Sequence, residues 1–136
     1  MKKLLALLST AFITLSASQW ALANEFTDLR SQLSAARESL VTMMVNKDKR
    51  GADQQKLVKN TADAVSAALA KIKAPAGKEA QFKELAETWN AFKKTREVEL
   101  VPAILAGKDD EAKKLAGGIQ KERITKCQQL VGELGG

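Results

Sequence analysis

Two arginines stand where this chain would otherwise be apolar, and they are the residues best placed to do chemistry. Arg96 lies seven positions after Trp89, and Arg123 lies four after Ile119 and four before Cys127. Helical geometry carries both onto or beside an apolar seam. A guanidinium there has two uses. It can reach a bundle edge and pair with Glu97, Glu99 or Glu122, its stem lying on apolar surface. It can also face a small anion between helices, because its planar fork binds a carboxylate through two hydrogen bonds. Arg96 is the first candidate for a ligand contact and Arg123 the second. Trp89, Phe92 and Cys127 read as structural core around them, Cys127 as a small buried apolar residue rather than a reactive thiol.

The chain has no histidine, which removes the commonest metal ligand and the side chain that most readily moves protons near neutral pH. No serine or cysteine has an imidazole partner, no glycine-rich phosphate loop follows a strand, and the carboxylates fall mostly on faces that should be wet. The expectation is a non-enzymatic protein with no metal and no cofactor. Met43 and Met44 are adjacent, so on a helix one of them faces away from any shared copper site.

Four helical stretches must position these residues, spanning about 25–47, 52–73, 78–106 and 109–134. The first carries Phe26, Leu29, Leu33, Ala36, Leu40 and Met43 at spacings of three and four. Asp48-Lys49-Arg50-Gly51 breaks it. The second carries Leu57, Val58, Ala62, Val65, Leu69 and Ile72, and stops at Lys73-Ala74-Pro75-Ala76-Gly77. The third puts Phe82, Leu85, Trp89 and Phe92 on a seam that continues to Leu100, Ile104 and Leu105. Pro102 should kink its last turn, and Gly107 should cap it. Asp109, Asp110 and Glu111 suit the positive end of the fourth helix, whose expected inner face is Ala112, Leu115, Ala116, Ile119, Cys127, Leu130 and Leu134. Gly117-Gly118 invites a bend there. Stretches this long joined by short loops bury all their seams as an all-α, up-down-up-down antiparallel four-helix bundle. Folding the last hairpin about Gly107 sets Arg96 opposite Ile119, Arg123 opposite Phe92 and Trp89 beside Cys127, with Arg96 toward Met44 and Gln55.

Ahead of these helices, residues 1–23 read as a secretory leader. Lys2 and Lys3 form a charged start, Leu4 to Leu15 an apolar run, and Ala21-Leu22-Ala23 a site for signal peptidase. The run is well short of the ~20 residues that span a bilayer. Cleavage after Ala23 leaves 113 of the 136 residues, a single domain over 24–136 released into the periplasm. The 22 basic residues, less Lys2 and Lys3, leave 20 against 16 acidic ones, so the released chain carries +4. These charges are interspersed without a basic stripe, which speaks against nucleic acid as a partner. Cys127 is the single cysteine, so no internal disulfide helps the core.

The third and fourth helices resemble the periplasmic four-helix-bundle sensor domain of methyl-accepting chemotaxis receptors. The resemblance rests on Trp89, Phe92, Arg96, Leu100, Pro102, Ala106-Gly107, Glu111-Ala112 and Leu115 at their present spacing, over roughly residues 80–134. It implies a small-ligand or partner-binding role, with Arg96 the best carried-over position. Receptors of that family keep an uncleaved first membrane helix and a second one leading to a signalling module. This sequence shows neither, and so resembles a stand-alone, exported sensor module.

Periplasmic four-helix cytochromes agree with the chain in size and expected topology. Cytochrome c prime needs Cys-x-x-Cys-His, where this chain reads Cys127-Gln128-Gln129-Leu130, and the b-type version needs a histidine ligand; neither haem scheme has its ligands here. Two functions follow. The first is a soluble periplasmic module binding a small, anionic molecule. The second is an interaction or structural bundle, a haem-free relative of those cytochromes, that docks a membrane receptor or a second copy of itself as a homodimer.

Overall fold

A computed structural model describes the backbone of Lys2–Gly135 and the side chains of residues 24–135, and within it the chain is helical with no strand. The leader expected over residues 1–23 thus lies outside the residues whose side chains are described. Helix α1 runs Lys2–Val45, so the stretch expected over 25–47 is its second half. A 3-10 turn, Lys47–Lys49, follows, with the Asn46 side chain accepting from the Asp48 amide at 3.0 Å. Helix α2 is Ala52–Lys71; it ends as Ile72 turns to extended backbone ahead of Pro75. The third stretch is compound: α3 (Glu79–Thr95), a π-helical turn (Arg96–Leu100) and α4 (Val101–Leu105). The fourth is α5 (Asp109–Gly117) and α6 (Ile119–Gly135). Among the described residues no helix is long and apolar enough to cross a membrane.

The two interruptions have local causes. Pro102 has no N–H to donate, and its ring would strike the Val98 carbonyl of a regular α-helix. Instead the Val101 amide reaches back five residues to the Arg96 carbonyl, and the widened turn makes room for the ring. The kink expected at Pro102 therefore takes the form of a π turn just before it. At Gly107 (φ 75°) the stretch closes with paired bonds, Gly107 N–H to Ile104 O at 3.1 Å and Lys108 N–H to Ala103 O at 2.9 Å. That is the left-handed glycine cap the sequence predicts. Between α5 and α6, Gly118 leaves helical geometry (φ −101°, ψ −111°), and a Cβ built on it would lie 2.8 Å from the Lys114 carbonyl oxygen.

Helix α1 packs on α2 and α6, and α3 packs on α6. The core falls into two apolar clusters. One gathers Phe26, Leu29, Leu33, Val65, Leu85, Trp89, Phe92, Ile124, Cys127 and Leu130; the other gathers Leu40, Met43, Val58, Leu100, Ile104 and Ala112. On each stretch a polar residue stands between the two sets: Ser39, Thr61, Arg96 and Gln120. Three expectations of the core are corrected. Leu57, Leu105 and Ile119 are exposed, Ile119 at 44%. Buried in its place is Gln120, at 2%, with Ile124 and Val131 after it. The inner positions 112, 116, 120 and 124 step by four, and each step overruns the 3.6-residue turn by about 40°. The break at Gly118 absorbs the drift and advances the seam by one residue, turning Ile119 outward.

Candidate functional site

Arg96 is fully enclosed, at 1% exposure, in the polar layer between the clusters. Its Nη1 donates to the Ala36 carbonyl at 2.7 Å and its Nη2 to the Val58 carbonyl at 2.7 Å, with Ser39 Oγ at 3.4 Å. Ser39 Oγ in turn donates to the Ala36 carbonyl at 2.9 Å and lies 2.9 Å from Thr61 Oγ1. The guanidinium thus ties α1 and α2 to the π turn through backbone oxygens. Among the described residues it makes no ion pair with Glu97, Glu99 or any other carboxylate. Burial pushes its pKa down to about 10, opposed in part by the nearby Glu97 charge. It remains a cation at neutral pH, solvated by the fold itself. A cleft of about 230 Å³ adjoins it, lined also by Gln55, Lys59 and Glu97.

Arg123 is half-buried on another side of the molecule. Its Nη1 donates to Thr95 Oγ1 at 2.8 Å and Gln120 Oε1 at 3.1 Å, with the Ala91 carbonyl at 3.4 Å. Gln120 Nε2 donates to the Phe92 carbonyl at 2.9 Å, so Arg123 does come level with Phe92. Arg96, by contrast, faces α1 and α2 rather than Ile119. The two arginines do not share a site. Trp89, Phe92 and Cys127 sit in one apolar cluster, as expected. The Trp89 and Phe92 rings are 5.4 Å apart, tilted by 32°, and Trp89 Nε1 donates to Ser66 Oγ at 3.0 Å. Burial pushes the Cys127 thiol up to about 12, which makes it a packing group and not a nucleophile.

A mostly apolar opening of ligand size lies elsewhere, between α1 and the α5–α6 stretch. It holds about 350 Å³. Its floor and walls are Leu40, Val41, Met44, Phe92, Leu100 and Ile124. Its rim carries Arg37, Lys113 and Lys121, and no acidic residue lines it. None of these cations makes an ion pair among the described residues, whereas Lys47, Lys93 and Lys126 each have a carboxylate partner. Periodicity builds the groove: Arg37, Val41 and Met44 are spaced by four and three on α1, and Lys113, Ala116, Gln120 and Ile124 continue one face across the Gly118 break.

No protein-family model, curated protein or solved structure matches this chain.

The groove must therefore be read from its own chemistry. What holds its walls is Arg50, which the sequence marks only as part of a charged break. Its Nε and Nη2 donate to the Met43 and Met44 carbonyls at 3.0 and 2.8 Å, capping the end of α1. Nη1 reaches the Ile104 carbonyl at 3.1 Å, and Nη2 also meets Asp109 Oδ1 at 3.1 Å. The Arg50 and Lys47 contacts hold the Asp109 carboxyl below the usual carboxylate range. This clasp fixes the start of α5, and with it Lys113 and Ala116, against the end of α1. A signal for the rim was available in the sequence. Arg37 and Lys121 have no acidic residue three or four positions away in either direction, so neither can pair along its own helix.

Proposed function

We propose that this chain is an exported, non-enzymatic module that binds a small organic anion in the groove between α1 and α5–α6. One observation carries the reading. Arg37, Lys113 and Lys121 converge without counter-ions on an apolar groove that no carboxylate lines. Unpaired lysines also occur elsewhere on the surface, but here three cations meet over apolar lining, and apolar pockets with a few convergent polar groups are where small ligands bind. We place this site in an up-down-up-down bundle. Support comes from the core: along α1 and the third stretch, residues of the Phe26 cluster precede those of the Leu40 cluster, and along α2 and the fourth stretch the order reverses. The leader-like residues 1–23 support a periplasmic address, and the likeness of residues 80–134 to a chemoreceptor sensor domain supports sensing or carriage over catalysis. Arg96, whose fork is filled by Ala36 and Val58, serves on this reading as a strut beneath the site.

Thermal shift with citrate, inorganic phosphate, aspartate, benzoate and octanoate tests it on three proteins: wild type, Arg96→Met, and Lys113→Gln with Lys121→Gln. At least one organic anion should raise the melting temperature of wild type, since ligand bound only to the native state stabilises it. The shift should survive in Arg96→Met and fall away in the double variant. No shift from any anion, or a shift lost in Arg96→Met and kept in the double variant, overturns the reading.

A further inference from the structure

We infer that the ligand of this groove is a single-chain amphiphile with an anionic head, a fatty carboxylate being the simplest example. The inference rests on the reading that the groove between α1 and α5–α6 is a binding site, and it names what fits there. The chemistry of the lining is segregated. Positive charge sits on long, exposed side chains at the rim, while Leu40, Phe92, Leu100 and Ile124 below are buried and apolar. Gln120 is the one uncharged polar side chain in the lining; it is 2% exposed, and its amide is turned to the protein, Nε2 donating to the Phe92 carbonyl and Oε1 accepting from Arg123. The interior of the groove therefore offers a ligand no side-chain hydroxyl and only one amide, already engaged with the protein through both its nitrogen and its oxygen. A sugar, an amino acid or a compact polyanion would have to leave its own polar groups unpaired there, which costs more than its head could recover. An alkyl tail has no such groups, and its burial is favourable in proportion to its length.

Size points the same way. A volume of about 350 Å³ stands at the low end of the roughly 300–1,000 Å³ found for small-molecule sites, room for one tail and not for the two of a membrane phospholipid. Gly117 contributes to the lining without a side chain, and a Cβ there would project into space with nothing within 4 Å. The groove thus stays open beside Lys113 and Lys121, where a head group and tail would join.

Calorimetric titration of the full chain with sodium hexanoate, octanoate and decanoate, each below its micelle concentration, tests the inference. One site should fill, and affinity should rise about two- to fourfold per methylene, fourfold being the value for a wholly buried one. Added salt should weaken binding, because the head meets exposed cations. Decyltrimethylammonium should bind at least tenfold more weakly than decanoate. Val41→Glu sets a carboxylate into the wall at a surface-exposed position, so the fold should persist with its melting temperature nearly unchanged while decanoate affinity falls at least tenfold. Affinity that is flat with chain length, equal for the cationic amphiphile, or unaltered in Val41→Glu overturns the inference. If chain length has no effect while citrate or phosphate still stabilises through Lys113 and Lys121, the ligand class fails and the binding reading stands. If no anion of either kind binds, both fail.

Discussion

At the scale of single residues, Arg96 and Cys127 show how burial decides what an ionisable group is for. Arg96 keeps its charge because two carbonyls stand in for water, at the expense of a pKa pushed down to about 10. Cys127 has no comparable partner for a thiolate, so burial raises it from an ordinary value near 9 to about 12. The sign of the consequence is definite. Between pH 9 and pH 12 the native thiol holds a proton that the unfolded chain has lost, so its stabilisation is complete below pH 9 and drains away as pH climbs through that window. Wild type should accordingly lose more stability between pH 8 and pH 10.5 than Cys127→Ala does, measured by urea denaturation. At pH 8 the thiol should resist an aromatic disulfide reagent until urea unfolds the chain. Rapid labelling of the native protein would place Cys127 outside the core. Residue spacing alone made this thiol legible as core. The same spacing put Arg96 on the right seam but could not say what it would meet, because its partners are carbonyls, and backbone atoms carry no signature in side-chain type.

At the scale of elements, the breaks matter more than the helices. Spacings of three and four, together with Pro75 and Gly107, made the four stretches readable. The phase across Gly117-Gly118 was not readable, since a one-residue shift depends on the dihedral angles of the break and not on which residues flank it. Hence Ile119 was expected inside and Gln120 lies there. The same holds for the third stretch, where proline signalled a disturbance but not that it would be a π turn under Arg96. The two glycines of the break are predicted to behave differently. At Gly118 a methyl group would press within 2.8 Å of a backbone oxygen that cannot rotate aside. Gly118→Ala should therefore destabilise by about 2–3 kcal/mol, as strained substitutions in packed regions do. At Gly117, the last residue of α5, nothing stands within 4 Å of the added methyl. Gly117→Ala should be neutral or stabilise by roughly 0.5–1 kcal/mol through better helix propensity. Denaturation of the two variants side by side decides this, and equal effects would mean the break is not the device that sets the seam.

At the scale of the whole molecule, two apolar clusters meet at a layer of Ser39, Thr61, Arg96 and Gln120, one polar residue from each stretch. Apolar seams by themselves tolerate sliding, whereas buried polar groups are satisfied in one register. Arg96 reaches α1 and α2 at once, so shifting either helix by a turn would strand a cation inside the protein. The groove on one side of this layer inherits its shape from that register and from the Arg50 clasp. Described packing begins at Phe26, while Asn24 and Glu25 are exposed. A cut after Ala23 would leave Asn24, a favoured N-cap residue, at the head of the shortened helix. Glu25 and Asp28 would follow in its first turn, where negative charge suits the exposed amides. The released chain should thus fold without loss of any described contact. We expect exported material to have an intact mass that begins at Asn24 and to melt as one cooperative unit. Recovery of the full 136 residues with the membrane fraction would show instead that α1 is retained whole and that the groove works beside a lipid surface.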